Sequence, residues 1–311
     1  MRELFRRSDR NPILTFREMP YPCNSVFNPG AVQMGDYTLL LLRVEDLEGR
    51  SHFTVARSRD GEIGWQVEET PLMRPGDPAH PEEAYGCEDP RISWLDELNQ
   101  YVIAYTAYSG LGAGVALATT TDFRSVERLG LMLAPNNKDA AVFPRRIGGK
   151  WWMLHRPMAG GQEHIWLTES PDLRYWGQPR ILLEERGGPW WDGAKIGAGP
   201  PPIETPEGWL LIYHGVKMVA ERPTYRMGLA LLDLEEPYKV RGRVPYWVLG
   251  PMEPYEMSGD VPNVVFANGA VVRGEDLWLY YGAADTAVCV ANAPLDALVE
   301  AAIRAGSRGS S

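Results

Sequence analysis

The sequence predicts an all-β fold, a five-bladed β-propeller with a short C-terminal helix. Three observations predict it. One strand pattern, rich in aromatic and branched residues, recurs five times along the chain. Turn signals separate short strands at regular intervals, and 3.6-residue periodicity is almost absent before the C-terminus. The repeat spacing, roughly 50 to 67 residues, lies near the top of the range for blade-type repeats.

The recurring strands are GDYTLLLLRVED (35–46), LNQYVIAYTAYS (98–109), GGKWWMLHRPM (148–158), EGWLLIYHGV (207–216) and GEDLWLYYGAAD (274–285). A shorter strand introduced by Pro or Gly precedes each: FNPGAVQM, EDPRISWL, FPRRIGG, PPPIETP and ANGAVVRG. A third follows each: HFTVARSRDG, GVALATTTDF, HIWLTESPDL, YRMGLALLDL and TAVCVANAPL. Units of three or four strands repeated radially leave few exposed edges, whereas a sandwich does not repeat its motif five times. The expected helix has Pro294 at its first position, with Leu295, Leu298, Val299, Ala302 and Ile303 on one face. It is set either to close a blade or to pack on another subunit, so a homo-oligomer stays open. Residues 1–306 are expected to form a single domain and 307–311 a disordered tail. Residues 68–87 are too rich in Pro for regular structure and suit a long loop bordering a site.

Composition narrows the partners. Hydrophobic residues at 44% and charged residues at 23% describe an ordinary soluble domain. No apolar run reaches membrane-spanning length and MRELFRRSDR lacks a signal-peptide core, so a cytoplasmic location without a membrane partner is expected. A net charge of −10 argues against nucleic acid as the main partner. Cys23, Cys87 and Cys289 lie far apart with no C-x-x-C spacing, which supports neither a disulfide framework nor a zinc site.

The chemistry is expected where first strands line a propeller's channel. The residues at their starts are Asn28, Asp89, Arg145, the Pro200–Pro202 run and Asn268, mostly polar or turn-forming at the narrowest part of the fold. Glu88-Asp89-Pro90-Arg91 stands out. Asp before Pro serves as a turn residue, but here an acid sits between a carboxylate that would raise its pKa and an Arg that would lower it. Such a balance is what a general acid needs to hold its proton near neutrality. Lys138, Arg156 and Lys195 put positive charge beside the third and fourth channel strands of an acidic chain, the makings of an oxyanion site. Gly197-Ala198-Gly199 lets backbone approach a ligand, without the G-x-x-x-x-G-K-[ST] pattern of a nucleotide loop. His155 and His214 occupy equivalent strands with no further ligands at metal spacing, so no metal is expected and core or sugar contacts suit them. Asp285 suits sugar hydroxyls or a turn equally.

These segments resemble glycoside hydrolase family 130, the mannoside phosphorylases and their hydrolytic relatives. The matching stretches are NSVFNPGA, CEDPRIS, KDAAVFPRRIGGKWWMLHRP, IWLTESPDLRYWG, KIGAGPPPIETPEGWLLIYHGV, YRMGLALLDLEEP, GDVPNVVFANGA and YYGAAD, in order over residues 24–286. The resemblance implies that Asp89 is the proton donor, directly or through a mannose hydroxyl. It implies that Arg156 and Lys195 hold phosphate with Lys138 near a third contact, and that Arg43, His214 and Asp285 contact the mannosyl unit. Asn28 and Glu88 join them as channel-side substrate contacts. The implied reaction is inverting phosphorolysis of β-1,2- or β-1,4-linked mannosides to α-mannose 1-phosphate, with phosphate as co-substrate and no cofactor. A β-mannoside hydrolase on the same scaffold and a non-catalytic glycan-binding propeller are the alternatives.

Overall fold

The computed structural model describes residues 3–158 and 160–308, and these form an almost wholly β structure. A short strand β1 (Arg6–Arg7) precedes five sets of antiparallel neighbours, the first two of which join into one sheet through a parallel bridge between Ser51 and Gly86. The first holds β2 (Ser25–Met34), β3 (Tyr37–Glu45), β4 (Ser51–Ser58) and β5 (Gln66–Val67). The second holds β6 (Gly86–Leu95), β7 (Gln100–Ser109), β8 (Gly112–Thr120) and β9 (Glu127–Leu133). The third holds β10 (Asn137–Val142), β11 (Trp151–Pro157), β12 (Ile165–Ser170) and β13 (Gly177–Leu183). The fourth holds β14 (Lys195–Ala198), β15 (Ile203–Thr205), β16 (Gly208–Val219), β17 (Arg222–Leu232) and β18 (Val240–Arg243). After a one-turn helix α1 (Pro254–Met257), the fifth holds β19 (Val265–Arg273), β20 (Asp276–Ala283) and β21 (Ala287–Pro294), and helix α2 (Leu295–Arg308) follows. Strand β1 pairs with β21, so the N-terminus supplies the outer strand of the last set.

The second strand of each set explains the pattern that recurs in the sequence. A continuous apolar run such as Leu39–Leu42 marks a strand buried on both faces, since successive side chains alternate between them. Leu39 and Leu41 enter a core with Ile103 and Tyr105 of the second set, while Leu40 and Leu42 enter another with Tyr280 and Val290 of the fifth. Val102 and Ala104 meet Trp151 and Met153 between sets two and three. Leu154 meets Trp209, Leu211 and Tyr213 between sets three and four. Leu210 and Ile212 meet Leu277, Leu279 and Tyr281 between sets four and five. Each neighbouring pair of sets shares one core, and the fifth set shares one with the first.

Four expectations need correction. FPRRIGG is not the first strand of the third set; β10 lies upstream in NKDAAV, because Pro144 lacks an N–H and Gly148 and Gly149 turn the chain at positive φ. Arg145 is therefore on the rim, paired with Glu204 at 2.7 Å rather than facing an axis. In the fourth set β14 precedes the Pro200–Pro202 run, which interrupts pairing before β15 resumes it. Pro294 ends β21 instead of opening the helix, and Ile303 is 40% exposed. Of the expected tail, Ser307 and Arg308 continue α2, and 309–311 lie outside the described residues. Helix α2 docks within its own chain: a Cβ on Gly242 would lie 2.1 Å from the Ala302 carbonyl oxygen, so only glycine permits that approach to β18.

Glu256 ties the chain's start to the fifth set. Its buried carboxylate accepts from Arg7 Nε at 2.8 Å, Tyr281 Oη at 2.8 Å and the Met252 amide at 2.8 Å. Removing one partner of such a group strands the others' polarity in a dry interior. Glu256→Ala should cost roughly 3 to 5 kcal/mol of stability, read as a lowered urea midpoint; an unchanged midpoint would count against this tether.

Candidate active site

One local device builds the site in several sets. The pairing of first and second strands slips between Phe27 and Gly30, between Glu88 and Arg91, and between Lys138 and Ala141. At these bulges Asn28, Asp89 and Asp139 adopt positive φ values of 43°, 52° and 55°. Asn and Asp tolerate that conformation better than other residues with a Cβ, and a bulge re-aims the side chain that sits in it. The fifth set slips likewise between Ala267 and Gly269, around Asn268. In the fourth set the corresponding strand carries Gly197, where a Cβ would lie 2.2 Å from Asp139 Oδ2 and 2.4 Å from His214 Cε1.

The first group of side chains gathers around Arg43. Its NH1 donates to Asp89 Oδ1 at 2.8 Å, its NH2 stands 3.1 Å from Glu88 Oε1, and its Nε donates to Ser51 at 2.9 Å. The guanidinium also lies 4.5 Å from the Phe27 ring centroid. Asn28 Nδ2 donates to the same Asp89 oxygen at 2.9 Å. Burial raises the Asp89 pKa, but Arg43, Arg91 and the Asn28 hydrogen bond outweigh it and hold the carboxyl below the ordinary aspartate range. The expected balance near neutrality is thus absent in the free protein, since two guanidinium groups oppose one neighbouring carboxylate. Asp285 behaves oppositely. Burial raises it most, Arg43 pulls it back, and Asp89, Asp260 and Glu88 push it up, from 3.8 to about 7.

The second group gathers around Asp139, which sequence reasoning missed. Asp139 is 1% exposed. Its Oδ2 accepts from Arg156 Nε at 2.6 Å and lies 3.5 Å from His214 Nε2; its Oδ1 lies 3.3 Å from Arg91 NH2. Lys138 precedes it and pairs in register with Arg156. Lys195 Nζ lies 5.4 Å from the Tyr225 ring centroid, and its charge is felt at His214. Burial, aided by Arg156, Arg91 and Lys195 against Asp139, lowers the His214 pKa to about 3, so the imidazole is neutral. Arg156 also pairs with Glu163. The signal that could have found Asp139 is the shared offset of NPGA, DPRI and DAAV, hidden once the third first strand was placed too late.

Arg91 joins the two groups. Its guanidinium donates to the carbonyls of Asp89 at 3.0 Å, Ala198 at 2.8 Å and Gly199 at 2.8 Å, besides meeting Asp139. Several buried polar atoms nearby have no partner among the described residues: Asn28 Oδ1, Asn268 Oδ1, Thr106 Oγ1, His155 Nε2 and both ring nitrogens of His214. Buried polar atoms are normally satisfied, so this concentration marks the two groups as the candidate site. All nine expected site residues belong to these two groups. Outside them, the fold brings His80, Glu82 and Glu83 ligand atoms within 4.8 Å of one another, a grouping the sequence spacing did not suggest, but Glu83 already pairs with Arg128 at 3.0 Å.

Asp285 stays protonated in the folded chain to about 7 but ionises from 3.8 when unfolded. Its contribution to stability is therefore complete at low pH and lost as pH rises toward the folded value. Wild-type stability should fall relative to Asp285→Asn between about pH 4 and about pH 8, measured by thermal unfolding across that window; a constant difference would refute the assignment.

Comparison with known proteins shows the family. Residues 7–303 match a glycoside hydrolase family 130 profile described as beta-1,4-mannooligosaccharide phosphorylase. A 1,2-beta-oligomannan phosphorylase of Thermoanaerobacter sp. is 35% identical over 304 residues, covering 94% of this chain and 97% of that protein. A beta-1,4-mannooligosaccharide phosphorylase of Ruminococcus albus is 33% identical, covering 94% and 89%. The structure of beta-1,2-mannobiose phosphorylase from Listeria innocua in complex with beta-1,2-mannobiose superposes with a TM-score of 0.87 at 32% identity, covering 96% of this chain and 99% of that one. A match across nearly the whole chain, in sequence and in fold, makes this protein a member of glycoside hydrolase family 130.

Proposed function

We propose that this chain catalyses inverting phosphorolysis of β-1,2- or β-1,4-linked mannosides, releasing α-mannose 1-phosphate. One observation carries the reading: Arg91 ties the turn that carries Asp89 to Asp139, around which the basic side chains Arg156 and Lys138 gather. Inverting hydrolysis needs a second carboxylate, roughly 6.5–9.5 Å from the acid, to activate water. Phosphate is already an anion and a nucleophile, so a cationic cradle replaces the base. The three relatives described above carry the names of mannoside phosphorylases, which supports the same substrate class.

In this mechanism the mannosyl unit lies against Asn28, Arg43, Glu88, His214 and Asp285. Phosphate oxygen attacks the anomeric carbon from the side of Arg156 and Lys195. The bond to the leaving sugar breaks, and its oxygen takes the proton of Asp89, directly or through a mannose hydroxyl. Because Arg43 holds Asp89 ionised in the free protein, the bound sugar has to raise its pKa, by excluding water from the carboxyl. Neutral His214 offers one donor and one acceptor to hydroxyls without adding charge. No cofactor enters the reaction.

The same reading takes the five sets as blades of a single five-bladed propeller, with the site at its axis. The cyclic order of the five cores and the completion of the last set by β1 support it. A phosphorylated product is retained by a cell, which favours a cytoplasmic reaction. Among the described residues no helix is long and apolar enough to cross a membrane.

Incubation with β-1,2- and β-1,4-mannobiose, with and without phosphate, tests the reaction. Phosphate-dependent release of mannose 1-phosphate is expected; free mannose as the sole product would establish hydrolysis instead. Asp89→Asn should lower kcat by about 100-fold or more while mannobiose still binds. Near-normal turnover in that variant would remove Asp89 from the mechanism.

A further inference from the structure

A carboxylate in the middle of an anion site is electrostatically misplaced. Asp139 repels an incoming phosphate and offsets part of the charge of Arg156; burial opposes its ionisation, yet Arg156, Arg91 and Lys138 outweigh that and hold the carboxyl well below the ordinary aspartate range. Its surroundings are built to accommodate it: it occupies a strained backbone position at φ 55°, and Gly197 opposite it has no Cβ, where one would lie 2.2 Å from Oδ2. Such a residue contributes geometry.

The geometry is specific. Arg156 sits on a flexible stem, and a free guanidinium can turn its fork in many directions. The 2.6 Å bond from Nε to Asp139 Oδ2 fixes the plane of the fork and leaves its terminal nitrogens for other partners. In the free protein Glu163, on the segment between β11 and β12, takes one of those nitrogens. Its side chain is 23% exposed, against 1% for Asp139, so Glu163 can leave when a better anion arrives and Asp139 cannot. Through Oδ1, Asp139 also meets Arg91, whose NH1 holds the carbonyl of Asp89.

We propose that Asp139 is the positioning residue of the phosphate pocket: it aims Arg156 at the co-substrate and, through Arg91, fixes that aim relative to the turn carrying Asp89. The inference rests on the reading that phosphate binds at Arg156, and it fails separately from that reading. Two mechanisms predict opposite signs. If Asp139 acted only as a nearby charge, neutralising it would relieve repulsion and strengthen phosphate binding. If it positions Arg156, the same change weakens phosphate binding.

The experiment measures the phosphate KM and kcat of Asp139→Asn, Arg156→Lys and Arg156→Ala, with mannobiose affinity by calorimetry in the absence of phosphate and thermal unfolding as controls. Asp139→Asn should raise the phosphate KM about ten- to a hundred-fold, with mannobiose affinity within about two-fold of wild type. Arg156→Lys, which keeps the charge but loses the fixed fork, should approach Arg156→Ala. A phosphate KM that falls or stays constant in Asp139→Asn overturns the inference, as does an equal loss of sugar and phosphate binding with a lowered Tm. Should Asp139→Asn not fold, a wild-type phosphate KM in Arg156→Lys overturns it. An unchanged phosphate KM in Arg156→Ala removes phosphate from this pocket altogether.

Discussion

The buried guanidinium of Arg91 is the constraint on which the site depends. It is 1% exposed, braces its own strand β6 at the Asp89 carbonyl, and reaches two other first strands through Asp139 on β10 and the Ala198 and Gly199 carbonyls at the end of β14. Burying such a charge is costly unless nearly every donor is matched, so strand spacing and bulge geometry have to agree with the fork of one side chain. That agreement sets where the acid-bearing turn lies relative to the basic pocket. A shift of either strand would leave a charged group unpaired in a dry interior.

Around this tie the charges separate into two groups with different electrostatics. On one side a single guanidinium, Arg43, is shared by Glu88, Asp89 and Asp285, and the three carboxylates compete for it. Asp89 holds the direct hydrogen bond and stays ionised; Asp285 lacks one and keeps its proton to about 7. On the other side Asp139 sits among cations and a neutral imidazole. Two carboxyl groups in one pocket with pKa values pushed apart are the usual mark of acid–base work, and here the separation comes from which of them Arg43 touches.

The rest of the fold holds these strands in place without taking part in the chemistry. Each second strand is buried on both faces, so every set is braced by two neighbours, and no first strand can move without disturbing two cores. Glu256, Arg7 and β1 secure the last set from outside, and α2 covers β18 through Gly242 and Gly306.

The sequence by itself determined the all-β class and the five-fold repetition, because runs such as TLLLL and WWMLHRP carry their burial pattern locally, one strand at a time. It also singled out the candidates that the structure gathers: Asp89 with Glu88 and Arg91 is contiguous, and Lys138, Arg156 and Lys195 stand out in an acidic chain. It misplaced Arg145 and overlooked Asp139 because strand register is a property of pairing, which two short polar segments such as NKDAAV and FPRRIGG do not declare alone. Only the tertiary structure decided that Arg43 and Asp139 are the centres of the two charge groups, that Arg91 joins them, and that Asp285 is pushed up to about 7 while Asp89 is held below the ordinary aspartate range. Those outcomes depend on distances between residues tens of positions apart, and electrostatic energy follows distance and burial, not order along the chain.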